Sequence, residues 1–203
     1  MFRKITKYLI VTALILTTST AQAEYVGIPS NTMNFYAAAQ KNSNWCWAAS
    51  IQMVLNYYGI SITQGQIVAR TYGVDPSGVL PNWTGSFPAI TANLNNWNID
   101  NSGRPYVVVA SLNWGAPTPV ILLQELSQGH PVLVGYKSGP NSGHAVVITA
   151  ANYDMSPMGP MIQSVVVRDP WPSAQNIANN GRVEYTGIQI ASLMQAYWYI
   201  RVQ

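Results

Sequence analysis

A single cysteine, Cys46, among 203 residues sets the first limit on this chain: no internal disulfide can staple it, so a hydrophobic core has to hold the fold. The material for a core is present. Apolar residues make up 48% of the sequence and charged residues 8%, the reverse of the apolar-poor, charge-rich balance that leaves chains disordered. The length suits one domain better than two.

The N-terminus reads as an export signal. Arg3, Lys4 and Lys7 precede an apolar run from Tyr8 to Leu16 that is too short to span a bilayer. Ala21-Gln22-Ala23 is a small-x-small cleavage site, so residues 1–23 are expected to be removed and 24–203 to form the mature domain. No later run is long and apolar enough for a membrane span, so no stable anchor is expected after cleavage. Removing the signal takes three of the ten Lys and Arg residues and leaves 7 − 7 = 0 net charge. Nothing then points to nucleic acid, which calls for a basic patch or stripe. Periplasm and extracellular medium are the expected locations. A lone thiol in an exported chain is either reactive or a small buried hydrophobe.

The first half of the mature chain carries helical spacing and the second half strand-like runs. Glu24 to about Gln40 reads as an irregular lead-in. From Trp45 to Tyr58, WCWAASIQMVLNYY places Trp47, Ile51, Val54 and Tyr58 on one helical stripe, with Gly59 as the C-cap. Thr63 and Gln66 form a capping-box pair opening a second helix that ends near Gly73, and 88–97 suggests a third. Thr118-Pro119 starts another helix that closes at Gly129. Strands are expected at 106–110, 132–136, 144–150, 162–168 and 196–202, with a Thr186-capped helix before the last. The order predicts an α+β fold, a helical half on a mostly antiparallel sheet.

Four residues carry candidate chemistry. Cys46 opens its helix after the polar loop KNSN, where the helix N-terminus favours a thiolate and the Cys46 N–H can donate to an oxyanion. Of two histidines, His144 enters an apolar strand from a Gly- and Ser-rich loop, as a base facing a cleft would. His130, between a helix C-cap glycine and a proline, reads as a turn residue. Asp169 ends the run SVVVRDPWP, where a carboxylate can orient an imidazole or simply begin an Asp-Pro turn. Gln40, six residues before Cys46, can offer an amide to an oxyanion. Trp114 and Trp171 can line a cleft or pack ordinarily.

Together these residues resemble the papain superfamily. A Gln six residues before the nucleophile and a Cys-Trp-Ala start to a buried helix match Gln40 and Cys46-Trp47-Ala48. GHAVVI around His144 and VVVRDPWP around Asp169 match the later base and orienter in order. The chain is most similar to the compact bacterial branch related to bacteriocin-leader peptidases and to secreted effector proteases of plant pathogens. The resemblance covers about Gln40 onward, and it implies a Cys46-His144-Asp169 triad with Gln40 as oxyanion donor, acting on a peptide or protein without a cofactor. Hydrolysis is the expected outcome; acyl transfer by the same thiol and a secreted binding protein without catalysis stay as alternatives. One Cys and two His residues without close spacing do not supply a structural zinc set. Oligomeric state is not legible.

Overall fold

A computed structural model describes residues 23–95, 99–140 and 142–203. The expected signal segment, up to Gln22, lies outside them, as does Trp97. In chain order the elements are β1 (Glu24–Gly27), α1 (Ser30–Asn34), α2 (Cys46–Tyr57), α3 (Gln64–Tyr72), α4 (Phe87–Asn95), β2 (Val108–Trp114), α5 (Pro119–Ser127), β3 (Val132–Gly139), β4 (Ser142–Ser156), β5 (Gly159–Arg168), α6 (Ala174–Ala178), β6 (Arg182–Thr186), α7 (Gly187–Leu193) and β7 (Met194–Val202).

The sheet runs β2-β7-β3-β4-β5-β6, with β1 added to β4 beyond the start of β3. Every strand pair among the described residues is antiparallel. One face packs α2, α3 and α4 onto Leu133, Val147, Trp198 and Ile200. The opposite face is also covered: Leu122 and Leu126 of α5 and Ile190 of α7 lie on Val134, Val146, Ile148 and Val165. Burial on both faces explains why Val132 to Val134 and Ala145 to Ile148 are continuous apolar runs rather than alternating ones. Each such buried side chain contributes roughly 1.5–3 kcal/mol.

Local signals account for several element ends. Thr63 and Gln66 make the expected capping box, as do Thr186 and Gln189. Gly59 after α2 and Gly129 after α5 have φ of 81° and 73°, a region that glycine enters without strain. The lead-in corrects the sequence expectation: it holds β1, paired to residues 150–153, and the short α1. Its side chains have no period of their own, and the edge of β4 supplies the order. α6 and β6 are likewise additions, and β2 starts two residues later than expected because its register is set by β7.

Candidate active site

α2 begins at Cys46 because the polar turn before it closes on Asn42, whose carbonyl accepts the Trp45 N–H at 3.1 Å. Trp45 is the N-cap and gives no side-chain cap, so the Cys46 N–H has no partner among the described residues. Such a helix end carries free donors and partial positive charge. Behind Cys46 the helix is dry, with Trp47, Ala48, Ile51, Val54 and Leu55 buried. Ser50, fully buried, donates its hydroxyl to the Ala145 carbonyl at 3.0 Å and so ties α2 to the residue after His144.

His144 lies near the start of β4, opposite Tyr136 of β3, whose ring meets the imidazole edge-on at 5.5 Å between centroids. Its Nε2 donates to Asp169 Oδ1 at 2.7 Å, and Cys46 is the other group beside the ring that favours its charged form. Burial opposes charge on the ring. The hydrogen bond and charge of Asp169, together with Cys46, outweigh it and push the imidazole up to about 9. At neutral pH the ring is therefore protonated. Burial, together with a hydrogen bond to Tyr185, raises the pKa of the adjoining Tyr136, so its hydroxyl stays neutral.

Asp169 follows the last residue of β5. Its Oδ1 also accepts the Trp171 N–H at 2.8 Å, and its own N–H donates to the Gly181 carbonyl at 2.7 Å. Gly181 has φ of 71° and lies so close that a Cβ would fall 2.6 Å from the Asp169 carbonyl oxygen. His144 thus bonds Asp169 and shares the cleft with Cys46.

The Gln40 side chain does not join them. It is buried, and its amide donates to the carbonyls of Asn42 and Ser43 at 2.9 and 2.8 Å, while its Oε1 is without a partner. In this state it braces the loop before Cys46. His130 is also elsewhere, with its Nδ1 3.4 Å from Glu125.

The cleft has two compartments that meet at Cys46 and His144, of about 340 and 490 Å³. The smaller is walled by Trp47, Phe87, Ile90 and Ala145, with Gly85 and Gly135 opening space beside them. Gly85 lies flat on the Trp47 indole, where any Cβ would overlap the ring, and Trp47 Nε1 holds the same segment through the Trp83 carbonyl at 3.2 Å. The larger is lined by Ser43, Ser138, Ser142 and Trp171. Trp114 stands outside both and stacks edge-on against Phe87 at 5.4 Å. Apart from the Cys46, His144 and Asp169 group, no charged side chain lines either compartment among the described residues. Nor do the described residues hold a cluster of His, Cys, Asp and Glu suited to a metal.

The sequence profile of the peptidase C39-like family matches residues 32–198. The chain belongs to that family. As a peptidase C39-like protein it is a papain-like, cysteine-type peptidase. Its fold is that of the peptidase domain of Streptococcus ComA, a bifunctional ABC transporter involved in a quorum-sensing pathway: TM-score 0.52 and 13% identity, over 80% of this chain and 95% of that one. A double glycine motif protease from an AMS/PCAT transporter, in complex with its leader peptide, is similar at TM-score 0.48 and 16% identity, over 91% of this chain and 94% of that one. Comparison with curated protein sequences gives no match.

Ser50, Gly85, Tyr136 and Gly181 support the candidate site without having been singled out from the sequence. Ser50 had a usable signal, a hydroxyl inside the apolar stripe of α2 with no neighbouring cap to explain it. The others depend on contacts between distant segments.

Proposed function

We propose that the protein is an exported cysteine peptidase in which Cys46, His144 and Asp169 are the catalytic triad. What supports this above all is the His144–Asp169 hydrogen bond in the cleft that Cys46 and His144 share, with the imidazole raised to about 9. Cys46 attacks the carbonyl as a thiolate paired with the protonated His144. The Cys46 N–H at the helix start donates to the oxyanion that forms on attack. His144 then gives its proton to the leaving amine, water attacks the acyl-enzyme, and Asp169 keeps the ring oriented. Gln40 is the second oxyanion donor in this mechanism, once one of its N–H groups exchanges a loop carbonyl for substrate.

The uncharged cleft favours peptide segments without charged side chains around the cleaved bond. Export is supported by residues 1–23, with their basic start, short apolar run and Ala21-Gln22-Ala23 site.

The test is hydrolysis of a mixed peptide library by the mature chain from Glu24, followed by mass spectrometry. Cys46→Ala should abolish cleavage and leave the melting temperature nearly unchanged. Equal cleavage by Cys46→Ala would sink the proposal. Amine adducts replacing hydrolysis products when a primary amine is added would shift the reaction to acyl transfer.

A further inference from the structure

We propose that Arg168 is a positioning residue for the peptidase reaction, tying the N-terminal arm, residues 24–36, to the turn at 179–181 that holds Asp169 against His144. The inference rests on the catalytic role given above to Asp169.

Arg168 is the last residue of β5, next to Asp169, and is fully buried. A guanidinium in that setting needs strong compensation, because taking a cation out of water costs several kcal/mol. No carboxylate supplies it among the described residues. Instead Nη1 donates to Asn34 Oδ1 at 2.8 Å and to the Asn180 carbonyl at 3.0 Å, and Nη2 donates to the Ser30 carbonyl at 3.0 Å. With the Asn179 carbonyl 3.5 Å from Nη1, two acceptors come from the arm and two from the turn.

Each side of this cage leads somewhere. On the arm, Ile28 donates its N–H to the Thr149 carbonyl at 2.9 Å, and Ile28 and Met33 are buried, so α1 is docked firmly enough to present its acceptors. On the turn, Asn180 precedes Gly181, whose carbonyl accepts the Asp169 N–H. A cavity of about 200 Å³ lies beside Asp169, lined in part by Trp171, Asn180 and Gly181. The 2.7 Å bond to His144 is kept in register by the backbone hydrogen bonds at Asp169 and Trp171. Arg168 joins those bonds to the N-terminal arm, and the Gln40 N–H, donating to the Pro170 carbonyl at 2.8 Å, joins the same corner to the loop before Cys46. The family match begins at residue 32, so the Ser30 carbonyl lies outside it.

The test is the pH profile of Cys46 alkylation by iodoacetamide, which needs no substrate, alongside the melting temperature. His144 is faced by Cys46, Asp169 and Tyr136, so a loosened Asp169 weakens the imidazolium that holds the thiolate. In Arg168→Met, labelling near pH 6 should fall about tenfold and recover near about pH 8.5, the free-thiol range. Arg168→Lys should fall between that and the parent, because an ammonium cannot span a planar fork of acceptors. Asn34→Ala should slow labelling near pH 6 about threefold, as expected for one lost charge-assisted bond. Looser packing alone would expose the thiol without moving the midpoint. Folded Arg168→Met and Asn34→Ala variants with the parent profile would overturn the proposal. If Arg168→Met does not fold, Asn34→Ala decides, since it keeps the cation and its other acceptors. A parent protein that already labels as a free thiol, indifferent to His144→Ala, overturns the catalytic reading and this inference with it.

Discussion

Cys46 and Asp169 are held by different physics. Cys46 stands on a helix whose back is packed dry against β4, with the Ser50–Ala145 bond as a single polar tie inside apolar surroundings. Asp169 stands beyond a strand end, on irregular backbone, where a glycine carbonyl, the Trp171 N–H and the Arg168 cage fix it beside a cavity. Packing tolerates small losses by relaxing around them, whereas a hydrogen-bonded corner with room to move is either in register or out of it. Damage to the first region should lower stability before activity, and damage to the second activity before stability.

His144 belongs to both regions and should break the comparison outright. His144→Ala is expected to lower kcat/KM at neutral pH about a thousandfold, within the range for removing a general acid–base group, with little change in melting temperature. Next comes Ile51, buried in the middle of α2. Ile51→Ala should cost about 2–5 kcal/mol in a denaturant titration while kcat of the remaining folded fraction holds. A fall in kcat matching the fall in stability would erase the distinction between the regions.

Asp169→Ala is the mirror experiment: a drop of about a hundredfold at neutral pH with a modest stability change. Its pH profile carries a sign. Asp169 raises the His144 pKa, so activity should be lost as pH rises through about 9 in the parent. In the variant the same limb should move down towards the ordinary imidazole value of about 6.5. A limb that stays in place would mean that Asp169 does not act through the ring. The smallest effect is expected from Gly181→Ala. A side chain at φ 71° and in contact with Asp169 should displace that residue slightly, lowering kcat about tenfold for about 1–2 kcal/mol of stability.

Elements with chemistry in their own ends were legible in the sequence. The Thr63 and Thr186 caps and the Gly59 and Gly129 stops each satisfy backbone groups within a few residues, and Pro119 fits a helix start because it lacks the N–H that would go unbonded there, so the signal is local. β1 was not legible, because Glu24 to Gly27 becomes a strand only where the edge of β4 offers it a ladder. α6 buries none of its residues and so leaves no apolar stripe to read. The candidate site divides along the same line. Cys46 and His144 sit at element starts that the sequence marks, and Asp169 at a strand end closed by Pro170. The Gln40 amide, the Gly181 contact and the Arg168 cage arise from segments far apart in the chain, and no local pattern announces them.

The position of β7 has a consequence for the order of assembly. It is the latest strand in the sequence, yet it lies between β2 and β3. A growing chain that has reached Leu193 can pair β3, β4, β5 and β6, but β2 then has no neighbour to join. Trp198, which packs under Phe87 at 5.7 Å, is also still missing, so the helix wall of the cleft has no floor. Such late, long-range pairing is slow and leaves apolar strands exposed while it waits. The peptidase should therefore have no working cleft until Met194 to Val202 has threaded home, which keeps a half-made chain from cutting its neighbours.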